Sequence, residues 1–400
     1  MQRNQQVGRR GIAASLWLIA AIGLPGGWAC AGDDDDGGGG GVDAGAEPDA
    51  APAGEFDAFD DAVSAFVEEQ GLEGASAVVV DRDGGQVHVQ GYGAFDAGRL
   101  YLIASSSKIL SVGVLMHLAD QGLVDVDEPI GTYLEDPFGE GKPELTVAEL
   151  VSNSSGLVGL IDNPTYAPYL CQYLSAGTLS ECAATIYTAD DAADRIPPDT
   201  EFHYGGGQWQ LAGGVAEVAS GKTWAELIDE TYVQPCGAGS LGYTNQFERS
   251  ALDYPADFGG DVANLTVTDN PSVEGGAYIT VEDYGKLLLM HLRGGLCGDA
   301  RVLSEDAVDR MRVDRILEVY GGTTGAGGSL EGYGLGWWID RENPGVFMDP
   351  GAYGAIPWLD LDRGYGAFIA LESTSELGGQ LVEQAKPALD AIFDARAERR

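Results

Sequence analysis

Positive charge is what this chain has least of. Its 400 residues hold 22 Lys and Arg against 63 Asp and Glu, a net charge of −41. So acidic a surface repels phosphate backbones and anionic lipid headgroups, which excludes nucleic-acid partners and polybasic membrane docking. Histidine is scarce: His88, His117, His203 and His291 lie far apart. Cysteine is limited to Cys30, Cys171, Cys182, Cys236 and Cys297, with no C-x-x-C pair. Ligands so scattered do not build a zinc site, and neither a metal nor a cofactor is expected. No apolar run reaches the roughly 20 residues that a membrane-spanning helix needs. What is present is 44% hydrophobic and 9% aromatic, enough to bury a core, which excludes wholesale disorder.

The first residues carry an address. Arg3, Arg9 and Arg10 precede an apolar stretch over 11–24, which Pro25-Gly26-Gly27 breaks. That order reads as a secretory signal peptide over residues 1–31, set aside from the fold. Ala29-Cys30-Ala31 fits ordinary cleavage, while Cys30 also stands where a bacterial lipoprotein carries its lipid. Residues 32–54 are rich in Asp, Gly, Ala and Pro, with little to bury, and read as an acidic, flexible tether. The protein is therefore expected to be exported, either secreted or held at the cell envelope through a lipid on Cys30, its one route to a membrane. With Cys30 set aside, four cysteines remain, an even number suited to an oxidising compartment. Cys171 and Cys182 are the easiest pair and Cys236 with Cys297 the other, but three pairings stay open.

Residues 55–400 are even in composition, without a second linker or an internal repeat, and are expected to form one monomeric domain. Phe56, Phe59, Val63 and Phe66 recur at helical spacing. Residues 75–80 and 86–90 are β-like runs around Asp83-Gly84-Gly85, a hairpin signal. Residues 99–104 form another short strand candidate, and a helical pattern follows over 105–121. Near the end, 345–348, 355–361 and 364–371 look like strands. A helix over 377–398 contains Pro387, which is expected to kink or interrupt it. Strands at both ends with helices between suggest one sheet built from both termini.

Ser105-Ser106-Ser107-Lys108 is an S-x-x-K motif. On a helix start it places Ser105 and Lys108 about one turn apart on one face. A serine hydroxyl needs a base beside it to attack at neutral pH, and a desolvated lysine can be that base. Lys108 is one of five lysines, with Lys142, Lys222, Lys286 and Lys386. By itself the motif also fits a capping serine followed by a surface lysine.

The surrounding text carries more. Residues 101–134, YLIASSSKILSVGVLMHLADQGLVDVDEPIGTYL, resemble the nucleophile helix and following loop of the beta-lactamase-related serine hydrolases. That group includes class C beta-lactamases, D-Ala-D-Ala carboxypeptidases, D-aminopeptidases and related esterases. LTVAELVSNSSGL at 145–157 is similar to the family's TIRHLLTHTSGL, with Asn153 in place of His. PPDTEFHYGGGQWQLAG at 197–213 resembles PGxxFxYSNxGYxLLG. Residues 274–295 resemble AGGLxSTAxDLAKFxxxLLxGG, YGLGW at 333–337 is another family element, and 351–371 resemble the terminal strands. The likeness spans roughly 56–371.

The resemblance implies an α/β (α+β) beta-lactamase-like fold: an antiparallel sheet flanked by helices plus a mostly helical subdomain, with the site at their junction. It implies Ser105 as acyl-accepting nucleophile, Lys108 as its base partner and Tyr204 as proton shuttle to the leaving group. The backbone N–H groups of Ser105 and Ala352 would form the oxyanion hole. Tyr243-Thr244-Asn245 also reads Y-x-N, but its context is worse than that of Tyr204; Thr268-Asp269-Asn270 mimics S-D-N in the wrong setting.

Two departures stand out. Gly206 replaces the Asn of Y-x-N, whose amide in the family helps hold the lysine and the substrate's acylamide. The third motif, K-T-G or H-x-G in relatives, reads Asp349-Pro350-Gly351. An anion there disfavours substrate carboxylates, so beta-lactams and D-Ala-D-Ala peptides lose ground to small esters. Asp349 would ion-pair with Lys108, receive a substrate ammonium, or turn away while a neutral ester binds. Gly206, Asp349, Gly351 and Tyr353 are the substrate-binding candidates. His203 is expected to be structural or solvent-facing, Asn153 a loop or cap residue, and Trp209, Trp337, Trp338 and Trp358 core or pocket wall. The expected function is hydrolysis of a small ester or amide through an acyl-enzyme. The alternative is a catalytically degraded binding protein of the cell envelope.

Overall fold

The computed structural model describes residues 54–248 and 253–399. The expected signal peptide, Cys30 with its expected lipid, and all but the last residue of the expected tether lie outside them. Among the described residues no helix is long and apolar enough to cross a membrane, and no cluster of His, Cys, Asp and Glu could hold a metal.

The phenylalanine spacing near the start forms helix α1 (Asp57–Glu69), with Phe59, Val63 and Phe66 on its buried face. The hairpin follows as β1 (Gly74–Asp81) and β2 (Gly85–Gly93). Asp81 closes its turn by accepting the N–H groups of Asp83 and Gly84 at 2.8 and 3.0 Å. All eight residues of β1 are buried, which is why its text, GASAVVVD, lacks the polar alternation of a one-sided strand. Val78 and Val80 point into the core beneath the helical region, while Ala75, Ala77 and Val79 point to the opposite core under α1. That is the period of two expected of a strand.

Three short strands come next in the chain: β3 (Leu100–Leu102), β4 (Gly242–Tyr243) and β5 (Ala277–Thr280), hydrogen-bonded in the order β3-β5-β4. A small hairpin of β6 (Leu296–Cys297) and β7 (Ala300–Arg301) lies outside them. The late strands are β8 (Gly332–Tyr333), β9 (Trp338–Ile339), β10 (Val346–Met348), β11 (Ala355–Asp360) and β12 (Tyr365–Ala370). With the first hairpin they make one seven-stranded sheet in the order β2-β1-β12-β11-β10-β9-β8, antiparallel throughout. Ser76 pairs with Ala370 and Asp81 with Tyr365, so the two ends of the domain meet inside the sheet.

Helix α1 and the C-terminal helix Ser375–Glu398 cover one face. That helix runs through Pro387 without the interruption that the proline could have caused. Leu381, Ala385, Leu389 and Phe393 stay buried on both sides of the proline, so packing on the sheet outweighs the lost backbone hydrogen bond. The helix Val281–Leu292 covers the other face, with Tyr284 stacked on Phe368 at 4.1 Å between ring centres.

The mostly helical region opens with α2 (Lys108–Asp120), which is apolar on every side and buried from Lys108 to Met116. It continues through α3 (Gly131–Phe138), α4 (Val147–Val151), α5 (Leu179–Tyr187) and α6 (Gly207–Ser220). Helices α4 and α5 start at capping boxes, Thr146 with Glu149 and Thr178 with Glu181. Disulfides join Cys171 to Cys182 and Cys236 to Cys297, which decides among the three open pairings.

Candidate active site

Ser105 does not begin the helix, as its spacing suggested. It sits in a 3₁₀ turn, Ala104–Ser107, and α2 starts at Lys108. In a 3₁₀ turn side chains three apart eclipse one another, which sets Lys108 over Ser105. The Lys108 Nζ donates to Ser105 Oγ at 3.1 Å and to the Glu274 carbonyl oxygen at 3.1 Å.

The turn is strained and braced. Ala104 has φ +46°, a left-handed conformation that costs a residue with a Cβ about 1–2 kcal/mol. Its neighbours hold it there. Ser106 Oγ lies 2.7 Å from the carbonyls of both Asp349 and Ala355, tying the turn to the β10–β11 connection. Ser107 Oγ donates to the Ala104 carbonyl and accepts from the Ala277 N–H at 3.0 Å, tying it to β5. Ser106 and Ser107 are fully buried; of the three serines, Ser105 keeps partial exposure.

Tyr204 comes from the loop before α6. Its half-buried ring lies 4.6 Å from Lys108 Nζ, and its hydroxyl reaches toward Ser105. Phe202, Tyr333 and Trp338 pack around it, with the Trp338 ring at 5.4 Å. Asn153 holds this loop from beneath. Its φ is +58°, and its buried Oδ1 accepts from Gly205 N at 2.9 Å, Gln208 Nε2 at 3.1 Å and Trp209 Nε1 at 2.9 Å. The loop residue of the sequence is thus the clamp behind Tyr204. His203 instead turns to Asp162, 2.5 Å from its Nδ1. The rival Tyr243 donates to the Ser107 carbonyl and pairs with Ser111, beneath the turn, and Asn245 and Asn270 fasten loops together.

Two of the expected substrate contacts are placed elsewhere. Asp349 is fully buried and does not ion-pair with Lys108; its Oδ2 accepts the Ile109 N–H at 3.2 Å, under the start of α2. Burial pushes its carboxyl far above the usual range, although Lys108 and the N–H groups of Ile109 and Lys108 oppose the shift. Its Oδ1 has no hydrogen-bond partner among the described residues. Tyr353 is also fully buried, in a small apolar cluster with Leu102, Ala104 and Phe258, and does not line the cleft. Gly351 packs where a Cβ would lie 2.1 Å from the Ile103 carbonyl, so its lack of a side chain serves the contact between β11 and the serine turn. Ala352, half-buried, follows it against the same cluster as Ala104.

The residue that the sequence reading did not single out is Glu274. Its side chain is nearly buried, and its Oε2 lies 3.6 Å from Lys108 Nζ and accepts the Gly206 N–H at 2.9 Å. The carboxylate thus stands beside the glycine that replaces the family's asparagine. Gly206 has φ +87°, and a Cβ there would meet the Val158 carbonyl at 2.9 Å, so no side chain fits at that position. The available signal was a single acidic residue opening EGGAYI, in a segment whose family counterpart begins with Ala.

Burial works against the charge on Lys108, but Tyr204, Glu274 and Asp349 outweigh it and raise its proton affinity. Burial raises the Tyr204 phenol, with Lys108 opposing. Burial also raises Glu274, with Lys108 and the Gly206 N–H opposing. Lys108 Nζ thus donates to Ser105 Oγ with the Tyr204 ring 4.6 Å away and the Glu274 carboxyl 3.6 Å away.

Known proteins resemble most of this chain. The beta-lactamase family model matches residues 59–386. Penicillin-binding protein 4 of Amycolatopsis lactamdurans is 26% identical over 318 residues, 74% of this chain and 79% of that protein. The D-alanyl-D-alanine-carboxypeptidase/endopeptidase AmpH of Escherichia coli K12 is 24% identical over 345 residues, 79% of this chain and 80% of that one. A solved family VIII carboxylesterase superposes with a TM-score of 0.62 at 20% identity, over 84% of this chain and 98% of its own. The fold is beta-lactamase-like, an antiparallel sheet flanked by helices with a helical region beside it, and the chain belongs to the beta-lactamase family of serine hydrolases.

Proposed function

We propose that this protein is an exported serine hydrolase that cleaves a small ester or amide through an acyl-enzyme, with Ser105 as nucleophile, Lys108 as base and Tyr204 as acid. The observation that carries this reading is the 3.1 Å contact between Lys108 Nζ and Ser105 Oγ beneath the ring of Tyr204. A scaffold has no physical use for a buried lysine, a strained serine turn and a half-exposed tyrosine converging on one point.

Lys108 first loses a proton, which its raised proton affinity places on the alkaline side. The neutral amine then takes the Ser105 hydroxyl proton as Oγ bonds to the acyl carbon. The N–H groups of Ser105 and Ala352 receive the developing oxyanion. The bond to the leaving group breaks, the leaving oxygen or nitrogen takes the proton of Tyr204, and Tyr204 recovers one from Lys108. Water repeats the sequence in reverse to free Ser105. An ester fits better than a peptide ending in a carboxylate: the third motif brings no cation, and the carboxylesterase with this fold is one of its structural neighbours. The two disulfides suit an oxidising compartment.

A short-chain nitrophenyl ester assay, paired with fluorophosphonate labelling of wild type and Ser105→Ala, tests the proposal. Loss of both turnover and label in the variant is expected, as is a wild-type kcat/KM that rises with pH. Equal silence of wild type and variant in both assays would overturn it in favour of an envelope binding protein.

A further inference from the structure

Glu274 stands beside Gly206, the position where the family resemblance puts an asparagine. The left-handed Gly206 frees its N–H to meet the carboxylate, and the neighbouring Gly205 leaves room, since a Cβ there would lie 2.7 Å from Glu274 Oε2. The same residue holds Lys108 twice, through its backbone carbonyl at 3.1 Å and its carboxylate at 3.6 Å. Relative exposure of Glu274 is 4%, so its field is little screened by water.

We propose that Glu274 is the positioning and specificity residue of this site: seated on the Gly206 amide beside Lys108, it holds the lysine in place of the absent asparagine and biases the site toward acyl donors without a carboxylate. The assignment rests on the acyl-enzyme reading above. It moves the charge selection that the sequence assigned to Asp349 onto a different residue, because Asp349 faces the start of α2 and not the cleft.

The other titratable groups facing this pair are few. Tyr204 comes from the loop before α6, Tyr173 from the turn at 167–173, Tyr333 from β8, and Asp349 from the end of β10. The three tyrosines hold their protons more tightly than a free phenol, chiefly because they are buried. None of them offers a positive charge to a carboxylate-bearing acyl group. Lys108 supplies the one described cation in contact with Glu274, and that charge is already matched.

Charge-matched acyl donors test the proposal: the nitrophenyl ester of butyrate against the nitrophenyl monoester of succinate, with wild type and Glu274→Gln over a range of pH. Glutamine keeps the length and the acceptor for Gly206 and removes the charge. In wild type the succinate ester is expected to show a kcat/KM at least about tenfold below that of the butyrate ester, the ratio that one pH unit of electrostatic bias supplies. In Glu274→Gln that ratio should narrow toward one. The acid limb of the butyrate profile should also move to lower pH, because Lys108 loses a neighbour that holds its proton. A role confined to packing would leave both ratio and limb in place.

Equal turnover of the two esters by wild type would overturn the proposal, whether or not the variant folds. An unchanged ratio and unchanged limb in a folded variant would do the same. In either case, loss of activity in Ser105→Ala would leave the acyl-enzyme reading standing, whereas full activity in Ser105→Ala would remove the ground beneath both.

Discussion

Three consecutive serines end in three chemical situations, and hydrogen bonding sorts them. Ser106 spends its hydroxyl on the Asp349 and Ala355 carbonyls, and Ser107 donates within the turn to Ala104 and accepts from the Ala277 N–H of β5, so both are anchors. Ser105 meets a lysine and the cleft, so it has a proton to give up. Asn153 illustrates the same point for a residue that looked ordinary. Its Oδ1 is the acceptor for Gly205, Gln208 and Trp209 in a buried loop. Asn153→Ala leaves those donors without their shared acceptor and places an alanine at φ +58°. A loss of about 2–4 kcal/mol is expected in urea unfolding, each orphaned buried donor costing about 1–3 kcal/mol. Ester turnover should fall with it, because the loop that carries Tyr204 loses its clamp. Unchanged stability would show that the loop holds itself.

At the scale of elements, the serine turn is positioned by contacts from three directions: β5 on one side, the β10–β11 connection on another, and α2 continuing out of it. The helical region contributes the opposite wall. Its 167–173 turn brings Tyr173 against Phe247, with ring centres 6.1 Å apart, and the Cys171–Cys182 disulfide fastens that turn to α5. The bridge closes a separation of 11 residues, and by the loop-entropy relation a loop of that order adds about 2–3 kcal/mol to stability. The double variant Cys171→Ser, Cys182→Ser should lower the denaturation midpoint accordingly and raise KM more than it lowers kcat, since the bridge braces a wall of the cleft and not Ser105. A fall in kcat with KM unchanged would contradict that placement.

At the scale of the molecule, pH acts through a group remote from the site. His291, on the helix that covers the sheet, is fully buried; its ring nitrogens have no hydrogen-bond partner among the described residues. Burial, aided by Arg312, lowers its pKa from 6.5 to about 3. The unfolded chain takes a proton below about 6.5 that the folded chain refuses until about 3. Stability tied to this group is therefore whole above 6.5 and is lost progressively between 6.5 and about 3, at roughly 1.4 kcal/mol per pH unit. His291→Leu should melt close to wild type at pH 7.5 and increasingly above it as pH falls toward 4. A constant difference across that range would show that His291 is not the group responsible.

The S-x-x-K motif, the first hairpin, the strands near the end and the likeness spread over 56–371 were legible because each depends on local pattern. Alternation, helical spacing and motif spacing survive in one dimension. The fate of Asp349, Tyr353 and Glu274 was not legible, because it depends on where side chains point after distant segments meet. Asp349 was open to three readings from its place in a motif, and the approach of β10 to the start of α2 selects the one in which it turns away from the cleft. Pro387 was read as a kink or an interruption, yet burial on both sides of it carries the helix through without an interruption. Glu274 lies 166 residues after Lys108, and no local pattern joins them. Sequence by itself determined the fold family and singled out Ser105, Lys108 and Tyr204 as the candidate reacting groups. Tertiary structure decided which charge stands beside them, because electrostatics acts through space and the chain brings Glu274 to Lys108 only when β5 closes against the serine turn.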